Sequence, residues 1–270
     1  MIRRPVVALL FFGICTAASA QADDETLRNL CPDRPGKGTS ACTVDAGHFQ
    51  LEMDAFDGTF QHADGITTDS YVLADPTLKF GVTDNWDIEA SLAPFEDIRT
   101  HDTNGTVNDT GIGDLYLRTK LNISGNDGGA WGIALEPFLK IPTARSGIGN
   151  GAAEGGALMP LSLDLGGGWS LGSTPEVDVL RNKNDSGYHA DLINVLGIGR
   201  GFDDGITFGA EAWSSSSLDP EGSTQQYSFD LEVAWQPQFD NNLQFDGGVN
   251  LGLNRATPGT EVYVGISRRF

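Results

Sequence analysis

The sequence predicts an all-β fold, a transmembrane antiparallel β-barrel of about twelve strands in up-and-down meander order. Three observations carry this. Apolar residues take every second position on nearly every predicted strand. Four of the five Trp fall on that same parity, beside predicted short turns. The chain closes with an alternating strand, Glu261 to Phe270, that ends on an aromatic. Composition agrees: 35 Gly among 270 residues imply many turns, and a mean hydropathy of -0.20 excludes a bundle of membrane helices. With 37 acids against 17 Lys plus Arg, a net charge of -20 argues against nucleic acid or an anionic lipid face as partner.

From the N-terminus, Met1-Ile2-Arg3-Arg4 is a positive head, Val6 to Ile14 is apolar, and Ala18-Ser19-Ala20 is a small-x-small cleavage site. Residues 1–20 therefore read as a secretory signal, too short for a stable membrane helix. Cys15 within it follows a bulky Ile14 and makes a poor lipoprotein site. Loss of Arg3 and Arg4 takes the charge from -20 to -22. Residues 21–47 are expected as an N-terminal segment on the periplasmic side. Its Cys31 and Cys42 are the two cysteines left after processing and read as a disulfide. A metal pair is the weaker alternative, since no second Cys or His pair lies nearby.

Residues 48–270 form the expected barrel. Leu115, Leu117, Thr119, Leu121 and Ile123 alternate with Asp114, Tyr116, Arg118, Lys120 and Asn122, and similar runs cover 86–92 and 227–235. Predicted strands lie near 48–60, 70–82, 86–95, 112–123, 130–142, 155–165, 169–180, 188–199, 206–214, 225–235, 243–253 and 260–270. Long and short connections alternate at first: Gln61–Asp69 then Thr83–Asn85, Glu96–Gly111 then Ser124–Gly129, Thr143–Glu154 then Gly166–Gly168. Longer loops at one end fit a membrane barrel. A secreted β-sandwich is the soluble alternative, but it needs covered edges and a varied core. Trp86, Trp131, Trp169 and Trp235 instead line one rim, as an interfacial girdle requires. Hydrocarbon offers no partner for a free edge, so the first strand must pair with the last. An even count then leaves both termini on one side, taken as periplasmic.

Inward parity collects the acids Glu52, Asp54, Asp75, Asp87, Glu89, Asp114, Glu136, Asp164, Glu176, Asp178, Asp191, Glu211, Asp230, Glu232, Asp246 and Glu261. The bases there are Lys79, Arg118, Lys120, Lys140 and Arg269. This surplus predicts a wet or cation-containing interior, because a dry lumen would strand charges at several kcal/mol each. Asp114, Arg118, Lys120, Glu136 and Lys140, with Asp87 and Glu89 beside them, are the expected charge cluster that props the wall or narrows a pore. No Gly-x-Ser-x-Gly, His-Glu-x-x-His or phosphate-binding loop is present. A barrel hydrolase would need a Ser and a His at one rim. His189 and Ser214, in the run Ser214 to Ser217, are the pair that approaches one.

Several motifs resemble the outer-membrane transporter family named for the meta-pathway of phenol degradation. They are Leu30-Cys31-Pro32-Asp33-Arg34-Pro35, Ala46-Gly47-His48-Phe49-Gln50-Leu51-Glu52, Phe80-Gly81-Val82-Thr83-Asp84-Asn85-Trp86, Gly111-Ile112-Gly113-Asp114-Leu115 and Lys140-Ile141-Pro142-Thr143. They span most of residues 30–165, and Ala144 stands where a Gly is expected after Pro-Thr. The resemblance implies a passive outer-membrane channel for small aromatic or other hydrophobic solutes, with no catalytic residue, metal or cofactor. Expected partners are outer-membrane lipids, the solute, and the barrel-assembly machinery through the C-terminal strand and Phe270, with a monomer as default. The alternatives are a structural or surface barrel without transport and an outer-membrane barrel hydrolase.

Overall fold

The structure is a computed structural model that describes residues 27–270, so the predicted signal peptide lies outside the described residues. Fifteen strand segments follow in order: β1 (Phe49–Ala63), β2 (Ile66–Thr83), β3 (Trp86–Ser91), β4 (Phe95–Asp102), β5 (Gly105–Gly111), β6 (Leu115–Ser124), β7 (Trp131–Ile141) and β8 (Glu154–Leu158). The rest are β9 (Leu161–Gly166), β10 (Trp169–Arg181), β11 (Tyr188–Gly201), β12 (Ile206–Ser217), β13 (Thr224–Trp235), β14 (Leu243–Gly252) and β15 (Thr260–Arg269). Every pairing is antiparallel, and β1 bonds to both β2 and β15, which closes the barrel.

Three staves are each built of two segments, β3 with β4, β5 with β6, and β8 with β9, so the fifteen segments make twelve staves. Pro94 and Pro160 sit in two of the breaks, where a residue without an N–H cannot extend the ladder. The third break holds Gly113, whose N–H bonds to the Ala93 carbonyl at 2.9 Å.

The distribution of polarity is inside-out. Lys120 and Asp87 are each 1% exposed, while Leu196 and Val264 are 54% and 53% exposed on the outer face. Such a surface is stable only against hydrocarbon, and the closed ladder leaves no unpaired edge for lipid to meet.

Two expectations change. Gln61–Asp69 and Glu96–Gly111 are not long loops. β1 and β2 stay paired up to Ala63 and Ile66, and β4 and β5 up to Asp102 and Gly105. Asp64 (φ 53°) and Gly65 (φ 79°) supply the two left-handed residues of a tight hairpin turn. The apolar alternation stops where both faces of a ribbon are wet, but ladder hydrogen bonding does not, so a periodicity reading ends these strands early. The second change concerns 21–47. Expected as an N-terminal segment on the periplasmic side, it has a described part, 27–47, that runs from the rim where Phe49 and Phe270 pair and bonds to the inner wall. A lumen with many more acids than bases attracts the bases that this segment carries.

Candidate functional site

The site is the lumen with the N-terminal segment inside it. The Cys31–Cys42 disulfide closes a short loop, which is pinned to the wall in two ways. At its base the links are ionic. Asp33 takes both ammonium groups that β2 and β6 project inward, pairing with Lys79 and with Lys120 at 2.6 Å. Lys79 also meets Glu52 at 2.7 Å and Glu89 at 3.7 Å, and Lys120 meets Glu136 at 3.3 Å and Glu89 at 3.9 Å. Burial would raise the Asp33 carboxyl, but the charges of Lys120 and Lys79 outweigh it and hold the group well below the usual carboxylate range. Further along, Arg34 bridges Asp54 at 2.6 Å and Asp246 at 2.7 Å. Asp45 pairs with Arg28 at 2.8 Å and Arg269 at 2.5 Å. Asp87 accepts the Val44 N–H at 3.0 Å.

At the loop tip the links are mostly backbone hydrogen bonds, with the Lys37 ammonium 3.5 Å from Asp230 and 3.6 Å from Glu261. Gly36 N–H donates to the Tyr263 hydroxyl at 3.0 Å, Lys37 N–H to Glu211 at 2.8 Å, and Thr39 N–H to the Thr174 hydroxyl at 3.0 Å. Gly36 has φ 90°, and a Cβ there would run into the Glu232 and Glu211 carboxylates, so this close approach requires glycine. The Lys37 ammonium stands 5.2 Å from the ring centre of Trp213, the one Trp that faces inward.

The segment divides the free lumen. A cavity of about 470 Å³ runs from Asp33, Arg34 and Thr39 to Glu176, Asp178 and Leu180. A second of about 260 Å³ lies between the segment and a wall of Ser170, Gly172, Gly197, Gly199, Thr207 and Gly209. The glycines leave that wall without side chains, which is where the space comes from.

The residues of the expected charge cluster fall into two groups. Arg118, Lys120, Glu136 and Glu89 gather around Asp33, with Arg118 Nε 3.8 Å from Glu136. Lys140 sits apart, with Asp114 at 3.3 Å and Glu154 at 2.5 Å. Asp33, Glu52, Lys79 and Glu154 were not in the expected cluster. For Asp33 the available signal was charge: an acid between two cysteines, ahead of a wall with buried lysines. Carboxylate oxygens of Asp33, Glu89 and Glu136 come within 4.8 Å of one another, the spacing of a cation site. The Lys120 and Lys79 ammoniums already fill that role, so no metal is called for.

Trp86, Trp131 and Trp169 open β3, β7 and β10, and Trp235 ends β13, all exposed on the outer face at the rim where the chain ends. Phe270 is exposed, and its backbone pairs with Phe49 at 2.8 and 3.2 Å. His189 meets Ser217 rather than Ser214: Nε2 is 2.9 Å from the Ser217 hydroxyl, and Nδ1 is 3.0 Å from Asn182 Oδ1. The nearby Asp219 accepts the Lys183 and Glu221 N–H groups at 2.9 and 2.8 Å. These bonds tie the β10–β11 hairpin end to that of β12–β13.

Residues 32–270 match the model of the family described as "Putative MetA-pathway of phenol degradation". No curated protein matches the chain. Among solved structures it is similar to an outer membrane channel from Pseudomonas putida F1, with 13% identity and a TM-score of 0.66 over 88% of this chain and 99% of that one. It is also similar to the NanC porin, with 9% identity and a TM-score of 0.52 over 81% and 98%. The translocator domain of the autotransporter NalP from Neisseria meningitidis follows, with 14% identity and a TM-score of 0.51 over 83% and 89%. At these identities the likeness is one of fold.

Proposed function

The chain belongs to this phenol-degradation family, and from that premise we propose that it is a passive outer-membrane channel narrowed by its own N-terminal segment. The observation that carries the reading is a polar lumen with free space on both sides of the segment, about 470 Å³ and 260 Å³. The channel and porin neighbours support it. Both chain ends lie on the periplasmic side, the Trp rim rests in the inner-leaflet interface, and Phe270 offers its strand to the assembly machinery. The solutes are small, and the family's description points to aromatic ones. The protein needs no cofactor and works as a monomer. Planar-bilayer recording tests this: discrete conductance steps and flux of small solutes are expected, and a folded, inserted barrel with neither would overturn it.

A further inference from the structure

Lumen positions along β10 read Ser170, Gly172, Thr174, Glu176, Asp178 and Leu180, so polarity rises abruptly on entering the larger cavity. The β7–β8–β10 ladder fixes what stands beside this stretch. Phe138 faces Gly156, which faces Asp178, and in the next row Glu136 faces Leu158, which faces Glu176. Gly156 is the floor of a corner. A Cβ there would run into the Phe138 ring edge, Asp178 Oδ1 and the Val177 carbonyl, so its absence lets ring and carboxylate lean together.

The carboxylates in this corner have no cationic partner, and Glu176 and Asp178 stand within hydrogen-bond reach of each other. Lys79, Lys140, Arg34 and Lys37 each pair with other acids that line the cavity or the wall beside it. Among the described residues no cation comes within 4.0 Å of Asp75, Glu176 or Asp178. Asp178 is 7% exposed, and its Oδ1 has no hydrogen-bond partner. Leaving a buried carboxylate oxygen unpaired costs several kcal/mol, so a positive group from solution is favoured there. Arg118 is the nearest base. Its Nη1 donates to Ser91 at 2.8 Å, and its guanidinium lies 5.0 and 5.9 Å from the Tyr116 and Phe138 ring centres. The apolar lining of the corner comes from Phe138 on β7, Leu158 on β8 and Leu180, the next lumen position along β10 itself.

We propose that the larger cavity binds organic ammonium ions, the charged nitrogen held by Glu176 and Asp178 and an apolar or aromatic body held by Phe138, Leu158 and Leu180. The volume suits a small amine, and a carboxylate next to a ring is the chemistry that recognises one. The inference deepens the channel reading and rests on it for the role of the site in passage.

The test uses the full mature chain in detergent and two probes of similar shape and opposite charge, phenethylammonium and phenylacetate, titrated by calorimetry. Phenethylammonium is expected to bind at least tenfold more tightly. The Glu176→Gln, Asp178→Asn double variant, checked for folding by heat-modifiable migration, loses that preference, and Phe138→Ala weakens phenethylammonium without affecting methylammonium. Equal binding, or tighter binding of phenylacetate, overturns the proposal on the unmodified protein alone, and retention of the preference in the double variant overturns the residue assignment. Bilayer recording separates the two readings. Conductance without charge preference in binding sinks this site and keeps the channel, whereas preference without conductance does the reverse.

Discussion

The two sides of the lumen hold the same segment by different chemistry. On the β2, β3, β6 and β7 side, Asp33 is locked between buried Lys79 and Lys120, with Glu52, Glu89 and Glu136 around them. On the β10–β13 side and at β15, the contacts are mainly backbone N–H groups donated to Thr174, Glu211 and Tyr263, next to a wall of glycines, and the ion pairs there are the longer ones of the half-buried Lys37 with Asp230 at 3.5 Å and Glu261 at 3.6 Å. Removing one partner from a buried ion network leaves the others charged and unpaired, whereas a lost backbone hydrogen bond is partly replaced by water. The base of the segment is therefore the strong attachment and the tip the weak one.

The sharpest way to break this contrast is on the ionic side. Lys79→Met with Lys120→Met strands four acids, and each broken buried pair is worth about 3–5 kcal/mol. We expect loss of the heat-modifiable folded form or expulsion of the segment, read by gel migration and protease access to residues 27–47. Unchanged migration and protection would mean that the ionic network is not the anchor. Next, Cys31→Ser with Cys42→Ser removes a loop closure worth about 3 kcal/mol. The segment becomes protease-sensitive in bilayers while the barrel stays heat-modifiable. At the tip, Glu211→Gln weakens its hydrogen bonds to Lys37 and Gly38 by about 1–2 kcal/mol. The expected result is larger or more frequent conductance steps at unchanged barrel stability. Gly199→Leu narrows the glycine-lined space and should lower conductance, again without a change in unfolding.

The smallest effect is that of pH. The Asp33 carboxyl is held low by Lys120 and Lys79, so its linked stabilisation is complete above the unfolded value of about 3.9 and is lost only as pH falls below it. Protease protection of the segment should thus match at pH 7 and pH 5. Release at pH 5 would show that another group governs docking.

How much of this could be read beforehand follows from where information lies in the chain. Leu117, Leu121, Leu135 and Leu139 announce their strands because each faces lipid, and the alternation is local. Thr67, Thr68 and Thr106 sit in ribbons wet on both sides, so the same ladder leaves no hydrophobic trace. Parity alone could list Lys120 and Glu136 among inward residues. It could not reveal that Asp33, 87 positions away in sequence, completes their pairing, since such a contact exists only after the barrel closes. Gly156 and the glycines of β11 and β12 were legible as small residues, but not as the boundaries of empty space.

Trp213 has a further use. Its indole looks into the water-facing interior beneath the Lys37 ammonium, while the other four indoles look outward at the rim. The protein thereby contains an intrinsic optical gauge of its own occupancy. A neutral water-soluble quencher such as acrylamide should reach that chromophore through the lumen, and its emission should shift when the lysine above it departs. Segment position could then be followed in unlabelled protein, in real time, without recording a current.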